Sequence, residues 1–205
     1  MESFIERPIL AASCRQLGVL VLDDGSTMQE PVTTPDFSGT KEEAVSAAVG
    51  DLTARVRVSS RAEQIGLTTV PFSRAAAAGE SASMAAGLAV AEQRVAAFLG
   101  GAGGDDLPRT ATVLLLTDGE SGTADGARDV AGRLRADPRV RFAAALFASG
   151  GRIPPGRALL REICSSPAQV WSKVVHDPEG LRRFFQWSLQ MTVGPGHGSA
   201  DPLMR

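Results

Sequence analysis

Two apolar runs in this sequence each end in an acidic residue that is followed by a turn. The first run, Leu17 to Leu22, ends at Asp23, and the second, Val113 to Thr117, ends at Asp118. Both runs are continuously apolar over a strand length, which is typical of strands that are buried on both faces of a parallel sheet. The carboxyl ends of such strands form the edge where open α/β folds bind ligands. The sequence therefore predicts that the two carboxylates share one site.

Oxygen ligands near these strand ends are suited to a hard cation. Thr27 supplies a hydroxyl on the same turn as Asp23, and Ser81 and Ser83 precede a predicted helix that starts near Met84. Mg²⁺ prefers near-octahedral coordination by oxygen and retains water molecules readily. Either Ser81 or Ser83 is expected to provide a further ligand, and the spacing leaves open which of them does so.

The remainder of the chain alternates between predicted strands and helices. Helical periodicity spans Lys41–Arg57 and Met84–Leu99, and further helices are expected near 123–137, 157–164 and from Pro178 onward. Further strands are expected at 65–70, 140–147 and 169–175, whereas Gln29–Thr40 is predicted to be a loop. This alternation predicts an α/β fold with a Rossmann-like, open, mostly parallel sheet and helices on both faces.

Composition and charge limit the possible classes of protein. The chain has 205 residues with 43% hydrophobic and 21% charged residues, which are values of a globular domain. Its net charge of −2 favours neither nucleic acid nor an anionic membrane as a partner. We expect a lead-in over residues 1–15, one domain over 16–190 and a flexible tail over 191–205.

Three further features predict a soluble cytoplasmic protein. The N-terminus lacks the pattern of a signal peptide. No apolar run approaches the length of about 20 residues that a membrane span needs. The cysteines, Cys14 and Cys164, are expected to be buried free thiols in a reducing compartment.

The segment Asp23-Asp24-Gly25-Ser26-Thr27 and the turn Thr117-Asp118-Gly119 together resemble the von Willebrand factor A (vWA) domain. That family's metal-ion-dependent adhesion site (MIDAS) reads Asp-x-Ser-x-Ser, then a Thr, then an Asp in a Thr-Asp-Gly turn. The resemblance covers roughly residues 16–190, and Phe184–Trp187 is similar to the last helix of the bacterial cytosolic, tellurium-resistance TerY-like type.

This resemblance implies a degenerate MIDAS formed by Asp23, Gly25, Thr27, Ser81 or Ser83, and Asp118. Gly25 replaces the first serine of the motif, so that a water molecule would occupy the vacant ligand position. The implied ion is Mg²⁺, with Mn²⁺ or Ca²⁺ as alternatives. The implied function is a protein-interaction module in bacterial stress or tellurium resistance or in defence, whose partner completes the metal shell with an Asp or Glu carboxylate.

Two other functions remain as alternatives. The first is a metal-free vWA scaffold that kept the fold and lost the ion, which Gly25 and the uncertain serine favour. The second is an enzyme, since Asp23–Thr27 also fits the phosphate-binding loop of actin-like ATPases and related phosphotransferases. That loop would be followed by a hairpin meander within a chain long enough for two lobes, whereas here a long loop and a helix follow. We therefore expect no enzymatic activity.

Overall fold

Five parallel strands form the central sheet of this protein. The computed structural model describes residues 14–76, 82–101, 107–119, 126–148, 156–164, 172–175 and 177–191. The strands are β1 (Arg15–Leu22), β4 (Ile65–Pro71), β5 (Arg109–Thr117), β6 (Val140–Phe147) and β7 (Ser172–Val175). Their spatial order is β4-β1-β5-β6-β7, and every neighbouring pair is parallel. The predicted parallel α/β sheet is confirmed.

Helices cover both faces of this sheet. They are α1 (Lys41–Val58), α2 (Phe72–Ala75), α3 (Met84–Gly100), α4 (Ala127–Ala136), α5 (Arg157–Ile163) and α6 (Pro178–Met191). A Cβ atom added at Gly18 of β1 would lie 3.1 Å from Leu189 of α6, and one added at Gly87 of α3 would lie 2.9 Å from Val21 of β1. Because residues three apart on a strand point to opposite faces, α6 and α3 lie on opposite sides of the sheet. Helix α1 packs on α6, and α4 packs on α3.

The continuous apolar runs of the sequence form the centre of the core. On β1, β5 and β6, residues 19–21, 111–116 and 142–147 are buried. This burial explains why these strands show no alternation of polar and apolar residues, since helices cover both of their faces. Cys14 and Cys164 are buried and form no disulfide, as predicted, and burial raises the pKa of the Cys164 thiol to about 12.

The prediction of a loop from Gln29 to Thr40 is wrong. A 3₁₀-helix (Ser26–Gln29) is followed by an antiparallel hairpin of β2 (Pro31–Thr34) and β3 (Phe37–Thr40), joined at Pro35-Asp36. Each strand has only four residues, and they are mostly polar or half-buried, with Val32 as the buried anchor. A strand of this length and polarity carries too few apolar positions for a period of two to be recognised.

Two short helices, a 3₁₀-helix (Ala62–Gln64) and α2, were not predicted. Helix α4 begins at Ala127 rather than near 123, and the beginning of the strand predicted from 169 lies outside the described residues. Residues 1–13 and 192–205, which include most of the expected lead-in and tail, lie outside the described residues. None of the helices in the described ranges is both long enough and apolar enough to cross a bilayer.

A candidate site at the carboxyl edge of the sheet

Strands β1 and β5 bring Asp23 and Asp118 to the same edge of the sheet. The two strands pair in parallel up to Leu22 and Leu116, and the backbone N–H of Asp23 continues the pairing by donating to the Leu116 carbonyl at 2.9 Å. Strand β4 lies on one side of β1, and β5, β6 and β7 lie on the other side. The boundary between β1 and β5 is therefore a topological switch point of the sheet. Open α/β sheets bind ligands in the crevice outside such a switch point.

The Asp23 carboxylate is buried and accepts hydrogen bonds on both of its oxygens. The Thr117 hydroxyl donates to Oδ2 at 2.6 Å, and the Gly25 backbone N–H donates to Oδ1 at 3.0 Å. Asp23 is only 2% exposed. Asp23 therefore connects the turn after β1 to the end of β5, a role that the sequence did not indicate for Thr117.

The Thr117-Asp118-Gly119 turn has its own local cause. Gly119 adopts a φ of +78°, in the left-handed region that favours glycine, and its N–H donates to the Thr117 hydroxyl oxygen at 3.0 Å. This turn holds Asp118 at the strand end with 1% exposure. Gly156, the residue before α5, packs directly against this turn, since a Cβ atom added there would lie 2.9 Å from the Gly119 Cα atom.

Lys41 is the functional residue that sequence reasoning missed. Its ammonium Nζ lies 3.1 Å from Asp118 Oδ2 and 2.7 Å from Glu30 Oε2, and the residue is 3% exposed. Burial lowers the pKa of this ammonium, but the hydrogen bonds and charges of Glu30 and Asp118 raise it more, so the net pKa lies above its ordinary value. Lys41 is therefore charged at neutral pH, and its positive charge lies between two carboxylates.

A signal for this contact was present in the sequence. Lys41 is the first residue of α1, where the positive end of the helix dipole disfavours a cation and favours acids such as the following Glu42 and Glu43. A lysine at this position indicates that an anion from elsewhere compensates its charge. The hairpin supplies one such anion, because Pro31 pairs with Thr40 and thereby places Glu30 beside Lys41.

The start of α1 is held by a capping box around Thr40. The Thr40 hydroxyl accepts from the Glu43 N–H at 3.1 Å, and the Thr40 N–H donates to the Glu43 carboxylate at 2.8 Å. We expect Thr40→Ala to lower the free energy of unfolding by about 1 kcal/mol in denaturant titrations, because one helix N–H loses its acceptor. Ser46→Ala, at an exposed position within the same helix, is the control and should change stability by less than about 0.5 kcal/mol. Equal effects of the two substitutions would contradict a specific role for the cap.

The remaining predicted ligands have other positions. Gly25 has no side chain and uses its N–H for Asp23, and Thr27 is half-buried in the 3₁₀-helix, where its carbonyl accepts from the Glu30 N–H at 3.2 Å. The Ser83 hydroxyl caps α3 by accepting from the Ala86 N–H at 3.2 Å. Ser81 lies outside the described residues.

These groups do not fit a divalent cation in the arrangement observed. Magnesium needs several oxygen lone pairs directed at one point, whereas both Asp23 oxygens accept protein hydrogen bonds and Asp118 already binds an ammonium. Among the described residues, no group of three His, Cys, Asp or Glu side chains could hold a metal ion. The ligand roles of Asp23, Gly25, Thr27, Ser81, Ser83 and Asp118 stay predictions that a titration must test.

Solved structures support the fold class. The chain is similar to the vWA domain of SpRpn10, with a TM-score of 0.54 and 11% identity over 90% of this chain and 100% of that domain. It is also similar to proximal thread matrix protein 1 from the mussel byssus, with a TM-score of 0.59 and 16% identity over 88% of this chain. The match spans about half of the mussel protein, 49% of its length. No protein-family model and no curated protein matches the sequence.

At these levels of identity the similarities define the fold alone. The chain has a vWA-like α/β fold.

Proposed function

We propose that this chain is a protein-interaction module that binds its partner at the carboxyl edge of the sheet without a divalent cation. The observation that carries this proposal is the pair between Lys41 and Asp118, since an ammonium at this edge balances the buried carboxylate that a metal would otherwise balance. The vWA-like fold supports the function of protein interaction. Open α/β sheets bind ligands at the switch point between strands such as β1 and β5, which supports the location of the contact.

The exposed rim of this edge offers the contact surface. Ser26 is exposed on the 3₁₀-helix after β1, and Asp24 accepts hydrogen bonds from the N–H and hydroxyl groups of Ser73 after β4. The Asp24–Ser73 contact connects the turn after β1 to helix α2. A partner would thus meet a preorganised surface, which lowers the entropy cost of binding.

A metal-dependent adhesion module is the second candidate. The convergence of Asp23 and Asp118 at neighbouring strand ends favours it, because MIDAS-type sites use carboxylates at these positions. In that function, Mg²⁺, or Mn²⁺ or Ca²⁺, would bind at the edge, and a partner's Asp or Glu carboxylate would complete the shell. The burial of Asp23 and Asp118 makes such access from outside unfavourable.

We further propose that the chain is not an enzyme. The thiol of Cys164 is buried and its raised pKa keeps it protonated at neutral pH, so it is a poor nucleophile. Both histidines, His176 and His197, lie outside the described residues. We also propose that the chain is of the tellurium-resistance type, that it is cytoplasmic and that its partner is neither nucleic acid nor membrane. These points rest on the sequence resemblance and on the net charge.

A pull-down with matched edge variants tests the proposed function. Wild type, Ser26→Arg and Ser60→Arg are immobilised, and the proteins that they bind are compared with and without EDTA. Both serines are exposed, and Ser60 is the control because it lies at the opposite edge of the sheet, before β4. We expect Ser26→Arg to lower capture of the partner at least about tenfold, equivalent to 1.4 kcal/mol, since a long charged side chain would occupy the contact surface. Ser60→Arg should bind like wild type, and EDTA should have no effect.

Two results would contradict this proposal in different ways. Loss of the partner in EDTA, with recovery after Mg²⁺ is added, would establish the metal-dependent module instead. Capture that Ser60→Arg lowers and Ser26→Arg leaves unchanged would place the contact at the amino edge of the sheet.

A further inference from the structure

A protein ammonium occupies the place at this edge where the MIDAS-like sequence pattern implies a metal ion. Lys41 Nζ is 3.1 Å from Asp118 Oδ2, and Asp118 is the acid of the Thr-Asp-Gly turn. We propose that Lys41 is the resident cation of this site and that its ammonium excludes Mg²⁺, Mn²⁺ and Ca²⁺ from the wild-type protein. A positive side chain at this distance repels a divalent cation that would need the same carboxylate.

The local charge balance supports this assignment. Two buried carboxylates, Asp23 and Asp118, lie at neighbouring strand ends, and a buried charge is stable only when it is paired or well hydrogen-bonded. Asp23 receives hydrogen bonds from Thr117 and from the Gly25 N–H, whereas Asp118 receives the Lys41 ammonium. Each carboxylate thus has compensation from the protein itself, and neither depends on an ion from solution.

The ammonium is also held in place by backbone structure. Lys41 begins α1 behind the Thr40 capping box, and its own N–H donates to the Glu30 carbonyl at 3.1 Å. The same Glu30 pairs with the ammonium through its carboxylate at 2.7 Å. A metal ion that displaced Lys41 from Asp118 would therefore break a contact that joins α1 to the end of β5.

This inference concerns the same edge as the proposed function and deepens it, because a metal-free site recognises its partner through the rim alone. Its test is independent of any partner. A pull-down in which Ser26→Arg captures the partner like wild type would contradict the proposed contact surface and leave the metal titration unaffected. Metal binding by the wild type would contradict the inference, whereas capture that Ser26→Arg lowers and EDTA leaves unchanged would still support the proposed function.

The test is a calorimetric titration of MnCl₂ and MgCl₂ into wild type and Lys41→Met, since methionine retains the unbranched length and removes the charge. We expect no specific binding to wild type, and binding of Mn²⁺ to Lys41→Met with a Kd at least about tenfold below the weakest Kd that the titration can detect, equivalent to 1.4 kcal/mol. Arg139→Met is the matched control, because it removes an exposed positive charge at the opposite edge, before β6. The control should titrate like wild type.

The double variant Lys41→Met/Asp118→Asn locates the new ion, because Asp118 is the carboxylate that Lys41 pairs with in the wild type. If the ion binds at this edge, the second substitution should abolish the gained affinity. Specific binding of Mn²⁺ or Mg²⁺ to wild type that Asp118→Asn removes would overturn the inference. A folded Lys41→Met that binds neither ion would overturn it too.

A labelling measurement on wild type keeps the inference testable if Lys41→Met does not fold. Reductive methylation of Lys41, followed by peptide mapping, should be much slower in the native protein than in denaturant, and Mg²⁺ or Mn²⁺ should not change its rate. Acceleration of Lys41 labelling by either ion would show that the metal displaces the ammonium, and the inference would be wrong.

Discussion

Lys41→Met is expected to lower the free energy of unfolding by about 3–5 kcal/mol, because it leaves the carboxylate of Asp118 buried without its counter-ion. Asp118 is 1% exposed, so water cannot replace the ammonium without rearrangement of the edge. Glu30 also loses its partner, but half of that side chain is exposed, at 53%, and its loss contributes little. The measurement is equilibrium unfolding in guanidinium at neutral pH with EDTA, so that contaminating metal does not compensate.

Two further variants separate the buried pair from a general charge effect. Arg139→Met removes an exposed ion pair with Asp137 and should cost less than about 1 kcal/mol. Lys41→Met/Asp118→Asn should recover much of the stability lost in Lys41→Met, since the neutral amide needs no counter-ion. If Lys41→Met is as stable as Arg139→Met, the pair does not hold this edge together.

Asp23→Ala is expected to cost about 2–4 kcal/mol, because the substitution leaves the Thr117 hydroxyl and the Gly25 N–H without their buried acceptor. Asp23→Asn should cost clearly less. Its amide oxygen can still accept from Gly25, and the Thr117 hydroxyl can rotate to accept from the amide N–H₂. The difference between the two variants measures what Asp23 contributes as a hydrogen-bond acceptor within the protein.

The control for this comparison is Glu63→Ala, which should change stability by less than about 0.5 kcal/mol. Glu63 has an exposed carboxylate and lies in the 3₁₀-helix (Ala62–Gln64) at the opposite edge of the sheet. Denaturant unfolding without metal is again the measurement. A metal ligand that has no structural role would give the opposite pattern: Asp23→Ala would relieve repulsion between neighbouring carboxylates and raise stability without metal. That outcome would contradict the role of Asp23 as a connection between the turns.

Strand prediction succeeded where burial on both faces gives an unmistakable pattern. Residues 17–22, 113–116 and 142–147 are continuously apolar in the sequence and lie within β1, β5 and β6. The hairpin of β2 and β3 was missed because its strands are short, and its stability depends on the contacts of Val32 and of the adjoining α1 rather than on its own composition. Short polar strands depend on their surroundings, which a local pattern does not contain.

The candidate site was predicted in part. Asp23 and Asp118 were identified from their positions after two buried strands, and their arrival at one edge follows from the parallel pairing of β1 and β5. Lys41 was read only as the first residue of a helix, although a lysine at that end of α1 opposes the helix dipole. Its partners, Glu30 and Asp118, come from two different elements that are distant from each other in sequence.

The sequence by itself determined the parallel sheet, the helices around it and the two acidic strand ends, because hydrophobic periodicity and turn residues act over a few neighbouring positions. Only the tertiary structure decided that Asp118 faces the Lys41 ammonium. The hairpin places Glu30 beside Lys41, and the packing of α1 at the sheet edge brings the ammonium to Asp118. A buried charge is compensated by whatever group the fold brings within reach, and that depends on contacts between residues far apart in the chain.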